Sequence, residues 1–163
     1  MSRGPGRIEQ SIGALFEGAP SIVFTVEDLA MIVYPGGNRP EKWHRVAVLR
    51  AGRHVAARLW WACRRREAPH GEIVFFNLLD VRSYALGRLR CDFANNDLTL
   101  GELERLIDDP SVHRSAWRLV QPEGAWSKHV KANLARRDGN EELAEKIMAE
   151  VRAGALANMA AGL

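Results

Sequence analysis

A dense run of cationic side chains lies between Pro40 and Arg66, and a single carboxylate, that of Glu41, opposes it. The eight cations are Lys42, Arg45, Arg50, Arg53, Arg58, Arg64, Arg65 and Arg66. Ammonium and guanidinium groups donate charge-assisted hydrogen bonds to phosphate and carboxylate oxygens. A local excess of this kind is typical of a surface that binds a polyanion.

The charge of the whole chain is distributed unevenly. Residues 1–95 hold 14 Arg and Lys against 9 Asp and Glu, whereas residues 96–163 hold 9 against 11, so the two parts carry +5 and −2 of the net +3. Arginine outnumbers lysine 19 to 4, a preference that codon usage alone could produce. The position of the cations therefore says more about function than the choice of arginine does.

Most of these cations fall on a predicted helix. Pro40 suits the first position of a helix, which we extend to about Leu59. At about 100° per residue, one side collects the apolar residues Val48, Leu49, Ala51, Gly52, Val55, Ala56 and Leu59. The other side collects Lys42, Trp43, Arg50, Arg53, His54 and Arg58, with Arg45 near the apolar side. A solvated helix face ordinarily mixes acids with bases, so this one indicates a binding surface.

Three short elements are predicted before this helix. Apolar residues at helical spacing indicate a helix over residues 8–17. The β-branched and aromatic run Ser21–Phe24 predicts a small strand. Thr25 then caps a second helix, with Asp28 at the capping-box position. The run Tyr34-Pro35-Gly36-Gly37 ends that helix, because glycine and proline do not continue it.

A β-hairpin is predicted after the cationic helix. The runs Trp60–Arg66 and Glu72–Asn77 are rich in β-branched and aromatic residues and flank a Pro-His-Gly turn. Trp60 and Trp61 would point to opposite faces of the first strand, so one of them belongs in the core. Three arginines approach the tip of this hairpin.

The order helix, turn, helix and hairpin between Thr25 and Asn77 resembles a winged helix-turn-helix, a fold used mostly to bind duplex DNA. In that superfamily a strand like Ser21–Phe24 often closes the hairpin into a three-stranded sheet. The resemblance implies that the helix over 40–59 enters the major groove. It also implies that the hairpin, called the wing, lies along the phosphate backbone.

The resemblance implies a set of DNA-binding residues. They are Thr25, Asn38, Lys42, Trp43, Arg45, Arg50, Arg53, His54, Arg58, Arg64, Arg65, Arg66 and His70. Arg50 is the first choice for a base contact, because a guanidinium pairs bidentately with guanine. Arg53 and Arg58 suit phosphate, and Thr25 could donate to phosphate from a helix N-terminus. Trp43 is either a partly buried staple or a platform on which bases stack.

A second domain is predicted beyond a break at Asn95-Asn96-Asp97. The first domain, 1–95, begins with a flexible arm of residues 1–7 and ends with a helix over 81–93 that Asp80 caps. The extension, 96–163, has predicted helices over 100–108, 111–119, 126–137 and 141–160, begun at Thr99, Asp109-Pro110, Ser127 and Asn140. The fold class is mainly α with a small β-hairpin or three-stranded sheet, an α+β protein. The extension could pack internally, form a homodimer or dock another protein.

Several function classes are disfavoured. The chain has no nucleotide-binding loop and no protease or hydrolase motif, so we expect neither an enzyme nor a cofactor. Its five histidines and two cysteines have no metal-ligand spacing. Cys63 and Cys91 are interpreted as reduced thiols of a cytoplasmic protein. No apolar run predicts a membrane span, and the N-terminus does not resemble a signal peptide.

The leading hypothesis is a cytoplasmic DNA-binding protein, a prokaryotic or phage transcriptional regulator, whose partner is duplex DNA. Two alternatives remain open. One is a protein-interaction adaptor on a winged-helix scaffold, since a fold does not dictate a function. The other is binding of RNA or single strands, in which exposed aromatic rings stack on bases.

Overall fold

The computed structural model describes residues 6–36, 39–66, 71–92, 99–109, 118 and 120–161. Over these residues the chain is mainly helical with a small three-stranded antiparallel sheet, which confirms the predicted α+β class. The elements in chain order are α1 (Arg7–Gly18), β1 (Phe24–Thr25), α2 (Val26–Val33), α3 (Lys42–Leu59), β2 (Trp61–Arg65), β3 (Ile73–Asn77), α4 (Val81–Asp92), α5 (Leu100–Asp108), α6 (Ala125–Arg137) and α7 (Glu141–Ala160).

The chain divides into two compact units, and the division lies between Leu103 and Glu104, within α5. The break predicted at residues 95–97 lies outside the described residues. The first unit contains α1 to α4 and the sheet, and the second contains the hairpin of α6 and α7.

The N-terminus of α2 is built by a capping box, as its sequence predicts. The Thr25 hydroxyl accepts a hydrogen bond from the backbone N–H of Asp28 at 3.0 Å and donates to the Asp28 carboxylate at 2.6 Å. The same carboxylate accepts from the Thr25 backbone N–H at 2.8 Å. These bonds satisfy N–H groups that a helix end otherwise leaves without partners.

Helix α3 begins at Lys42, two residues later than predicted. Glu41 is extended and serves as the N-cap, and its backbone N–H donates to His44 Nδ1 at 3.1 Å. Pro40 is therefore a buried residue before the helix. The C-terminal end at Leu59 agrees with the prediction. Trp60 ends the helix in a left-handed conformation, with φ of 60°. The strand predicted over Trp60–Arg66 therefore begins only at Trp61.

The sheet has the order β1-β3-β2, with every neighbouring pair antiparallel. Strand β1 is shorter and later than the predicted Ser21–Phe24. The backbone of Ile22 is used elsewhere: its N–H donates to the Ala19 carbonyl and its own carbonyl accepts from the Ser83 hydroxyl. The pairing of β1 therefore begins only at Phe24, opposite Phe75.

Stacked aromatic rings form the core of the first unit. Phe16 of α1 lies parallel to Trp61 of β2, with ring centroids 4.0 Å apart, and Phe24 and Phe75 contact the same ring of Phe16. Trp61 is thus the tryptophan of the predicted pair that enters the core. Gly52 of α3 allows the approach of Phe75, because a Cβ there would lie 2.8 Å from the ring.

A buried serine joins three segments of the first unit. The Ser83 hydroxyl is fully buried, accepts from the Asn77 backbone N–H at 2.8 Å and donates to the Ile22 carbonyl at 3.0 Å. Its backbone N–H donates to the Asp80 carboxylate, which caps α4 as predicted. This side chain therefore connects the end of β3 and the start of α4 to the segment before β1.

We expect Ser83→Ala to lower the free energy of unfolding by about 2 kcal/mol, because it leaves the buried N–H of Asn77 and the partly buried carbonyl of Ile22 without their partner. Urea denaturation followed by circular dichroism measures the change. Ser11→Ala is the control, since that hydroxyl is exposed and donates only within its own helix; its effect should stay within about 0.5 kcal/mol. Equal losses would contradict the assigned role.

The second unit contains a helical hairpin whose turn is formed by Gly139, with φ of +78°. Asn140 caps α7 by accepting from the Leu143 N–H at 3.1 Å, as predicted. The start of α6 differs from the prediction, because Gly124 is its N-cap. Ser127 lies inside the helix, where its hydroxyl donates to the Val120 carbonyl at 3.0 Å. The helix predicted over 111–119 lies almost wholly outside the described residues.

Candidate nucleic-acid interface

Helix α3 carries seven of the thirteen candidate residues, three of them on one exposed stripe. Lys42, Val46, Arg50 and Arg53 recur at helical spacing and are all exposed; we call these four residues the outer face of α3. The opposite side of the helix packs into the core through Val48, Ala51, Gly52, Val55 and Ala56. The helix therefore presents one cationic face to solvent, and burial of its other side holds that face in place.

One edge of the outer face borders the hairpin. An open groove of about 470 Å³ separates α3 from the strands, and Lys42, Val46 and Leu49 line it on the helix side. Arg65 of β2 and Ile73 of β3 line it on the hairpin side. The structure thus brings Arg65, which is exposed, to the same groove as Lys42.

The other edge borders the start of α1. A second groove, of about 420 Å³, is lined by Arg7 and its neighbours from α1 and by Ala47, Arg50 and His54 from α3. Sequence reasoning missed Arg7, because the glycines and proline before it predict a flexible arm. The signal was available: Arg7 directly precedes the apolar periodicity that begins at Ile8, and it is the first residue of the helix.

Of the cations that line the two grooves, four have no carboxylate partner among the described residues: Arg7, Lys42, Arg50 and Arg65. Arg53 is exposed, and its guanidinium lies within hydrogen-bonding distance of the Cys63 thiol. These five cations therefore keep their charge available to an anion outside the protein, and they come from α1, α3 and β2.

Three other candidates contact carboxylates within the first unit. Arg45 pairs with Glu27 of α2 at 3.3 Å, and Arg64 pairs with Asp92 of α4 at 3.2 Å. His54 Nδ1 lies 3.1 Å from the Glu9 carboxylate. Arg58 is exposed and has no carboxylate partner among the described residues, but it lies against α1, with its Nη2 3.6 Å from where a Cβ of Gly13 would be. The three residues that contact carboxylates are less suited to a phosphate contact than the five with available charge.

Four further candidates remain besides Trp43: Thr25, Arg66, Asn38 and His70. Contrary to the prediction, Thr25 is not available to donate to phosphate. Its side chain is only 8% exposed, and its hydroxyl is occupied in the capping box. Arg66 is half-buried, and its backbone N–H donates to the Glu72 carbonyl. Asn38 and His70 lie outside the described residues.

Trp43 is not a buried staple, because it is 58% exposed. Its indole N–H donates to the Glu41 carboxylate at 2.6 Å. Its ring lies 3.6 Å from that of His44, and both rings contact Tyr34. The indole is therefore exposed but held in one orientation beside the start of the outer face.

The two cysteines are free thiols. Burial raises the pKa of the Cys63 thiol, although the hydrogen bond from Arg53 opposes that rise. Burial and the nearby Asp92 carboxylate raise the pKa of Cys91 to about 11. Both side chains are consequently protonated at neutral pH and poorly suited to act as nucleophiles.

The described part of the chain contains no group of three or more His, Cys, Asp and Glu side chains arranged to hold a metal ion. It contains no helix with the length and apolar character needed to cross a membrane. Comparison of the chain with protein-family models, with curated proteins and with solved structures gives no match.

Proposed function

We propose that the first unit is a winged helix-turn-helix that binds duplex DNA through the outer face of α3. The observation that carries this proposal is the set of five cations with available charge on α1, α3 and β2 (Arg7, Lys42, Arg50, Arg53 and Arg65). The order of elements, α1-β1-α2-α3-β2-β3, and the sheet order β1-β3-β2 support it as well.

In the proposed complex, α3 lies in the major groove, which is about 12 Å wide and admits one α-helix. Arg50 meets a base edge from the middle of the helix. Lys42 and Arg53 meet the phosphates on either wall, Arg65 contacts the backbone from the hairpin, and Arg7 contacts it from the opposite flank. The phosphate contacts supply affinity and register, and the base contact supplies sequence preference.

The salt dependence of binding tests this proposal. We expect the affinity for a fluorescein-labelled random-sequence duplex to fall with a log–log slope of about −4, because four cations would each release counterions from one phosphate. Fluorescence anisotropy at increasing concentrations of NaCl measures the slope. Absence of binding at low salt, or binding with no salt dependence, would overturn the proposal.

A second candidate, binding of single-stranded DNA or RNA, is favoured by Trp43 alone. An exposed indole held against His44 and Tyr34 is a rigid surface on which a base could stack. Competition between unlabelled duplex and single strands separates the two candidates. Trp43→Ala should weaken single-strand binding far more than duplex binding if the second candidate holds. A protein-interaction adaptor would bind neither nucleic acid.

We propose further that the protein acts in the cytoplasm as a transcriptional regulator of a prokaryote or phage, altering transcription by occupying its DNA site. The two free cysteines support the location, since cytosolic proteins keep thiols reduced. Genome-wide mapping of bound DNA tests the role. Sites clustered at promoters would support it, and an even distribution along the genome would contradict it.

A further inference from the structure

Val46 is the apolar member of the otherwise cationic outer face of α3. Its side chain is 41% exposed, although valine is among the residues most often buried. It lies one helical turn after Lys42 and one turn before Arg50. The core of the protein does not need Val46 at this turn of the helix, because Val48 fills the core side of the same turn and is fully buried.

The composition of α3 limits which bases it could recognise. The helix, Lys42–Leu59, contains no Asn or Gln, which pair with adenine, and no Asp or Glu, which accept from cytosine. Arginine remains for guanine, and an exposed apolar side chain remains for the 5-methyl group of thymine. The outer face presents one of each at its centre, Arg50 and Val46.

We infer that Val46 contacts the methyl group of a thymine while Arg50 pairs with a guanine, so that the protein selects guanine and thymine at a set spacing. This inference rests on the proposed function. Four residues of α-helix rise about 6 Å, and successive base pairs are about 3.4 Å apart. The thymine and the guanine therefore lie about two base pairs from each other.

The groove beside Val46 is consistent with a methyl contact. Leu49 and Ile73 line it together with Val46, so the methyl group would meet apolar side chains from both α3 and β3. Glu27 and Glu72 also line the groove, and their carboxylates are paired with Arg45 and Arg90. Lys42 and Arg65 line the same groove and would hold the adjoining phosphates. A contact between apolar groups at this point removes both from water.

Selection and uracil substitution test the inference. The full-length protein is used to enrich a pool of random-sequence duplexes, and we expect guanine and thymine about two base pairs apart in the enriched sites. The enriched duplex is then prepared with uracil in place of that thymine, which removes only the 5-methyl group. Affinity should fall about fourfold, the change expected for one buried methyl group.

Two variants connect the effect to Val46. Val46→Ala should bind the thymine and uracil duplexes equally, whereas Val46→Ile should still prefer thymine. Uracil placed outside the enriched site should change nothing for any of the proteins. Thermal unfolding of both variants shows whether the fold is retained, which we expect because the side chain is exposed.

Failure of the inference and failure of the proposed function are distinguishable. If no duplex is enriched or bound at low salt, the proposed DNA binding is overturned and this inference with it. If the protein binds duplex DNA but has equal affinity for the thymine and uracil duplexes, only the inference is overturned. A preference for thymine that persists unchanged in Val46→Ala would likewise overturn it.

Discussion

Reversing the charges of Arg50 and Arg53 is expected to lower the affinity for duplex DNA by about 100-fold at low salt. Each cation would make one charge-assisted contact, and losing one such contact costs about 1.5 kcal/mol or more. Two contacts amount to about 3 kcal/mol, or roughly two factors of ten. Both side chains are exposed, so Arg50→Glu with Arg53→Glu should leave the fold unchanged. Fluorescence anisotropy measures the affinity.

The matched control reverses Arg105 and Lys146 to glutamate. Both residues are exposed and lie outside the proposed interface, on α5 and α7, and the change in net charge is the same. We expect this control to weaken binding by less than about threefold, because neither residue belongs to the proposed interface and salt screens the effect of net charge alone. Similar losses in the two double variants would mean that net charge, and not the outer face of α3, determines the affinity.

Replacing Gly87 by alanine is expected to lower the free energy of unfolding of the first unit by about 3 kcal/mol. A Cβ at this position would lie 2.1 to 2.5 Å from the Cγ, Cδ1 and Cβ atoms of Phe76. Phe76 cannot withdraw easily, because it is buried and belongs to β3, the central strand of the sheet. The two elements would have to separate, which would disturb the core. Urea denaturation followed by circular dichroism measures the loss.

Gly13→Ala is the matched control for this prediction. Gly13 is also buried and helical, but a Cβ there would make ordinary contacts of 3.6 Å with Arg58 and 3.9 Å with Val55. Alanine favours a helix over glycine by up to about 1 kcal/mol, so we expect a gain of about 0.5 kcal/mol. A loss for Gly13→Ala as large as that for Gly87→Ala would show that room at the glycine does not decide the outcome.

Much of the fold could be predicted, because the signals that specify it are local. Thr25 and Asp28 form their capping box within one turn of chain, and Asn140 caps α7 three residues before its partner. Asp80 likewise marks the start of α4. The start of α3 at Pro40 was predicted wrongly, because the residue that caps a helix depends on which hydrogen bonds its neighbours form. Here Glu41 and His44 bond to each other and place the cap one residue after the proline.

Less of the candidate site could be predicted, because the neutralisation of a charge depends on distant parts of the chain. Arg64 is 28 residues from its partner Asp92, and Arg45 is 18 residues from Glu27. No periodicity or composition reports such a pair. Arg7, in contrast, was left out of the predicted site, because its position beside Arg50 depends on the packing of α1 against α3. Sequence alone therefore listed more cations than the fold leaves available.

Spacing, capping and turn residues specify the types and order of the main elements in the first unit, the two faces of α3 and the density of cations on one of them. These signals act between residues within a few positions of each other, so they can be read before the chain folds. The folded chain is needed to show which cations retain an available charge, that Trp61 and not Trp60 enters the core, and that Gly87 must lack a side chain. Ion-pair partners, ring stacking and free space depend on segments that meet only when the chain folds.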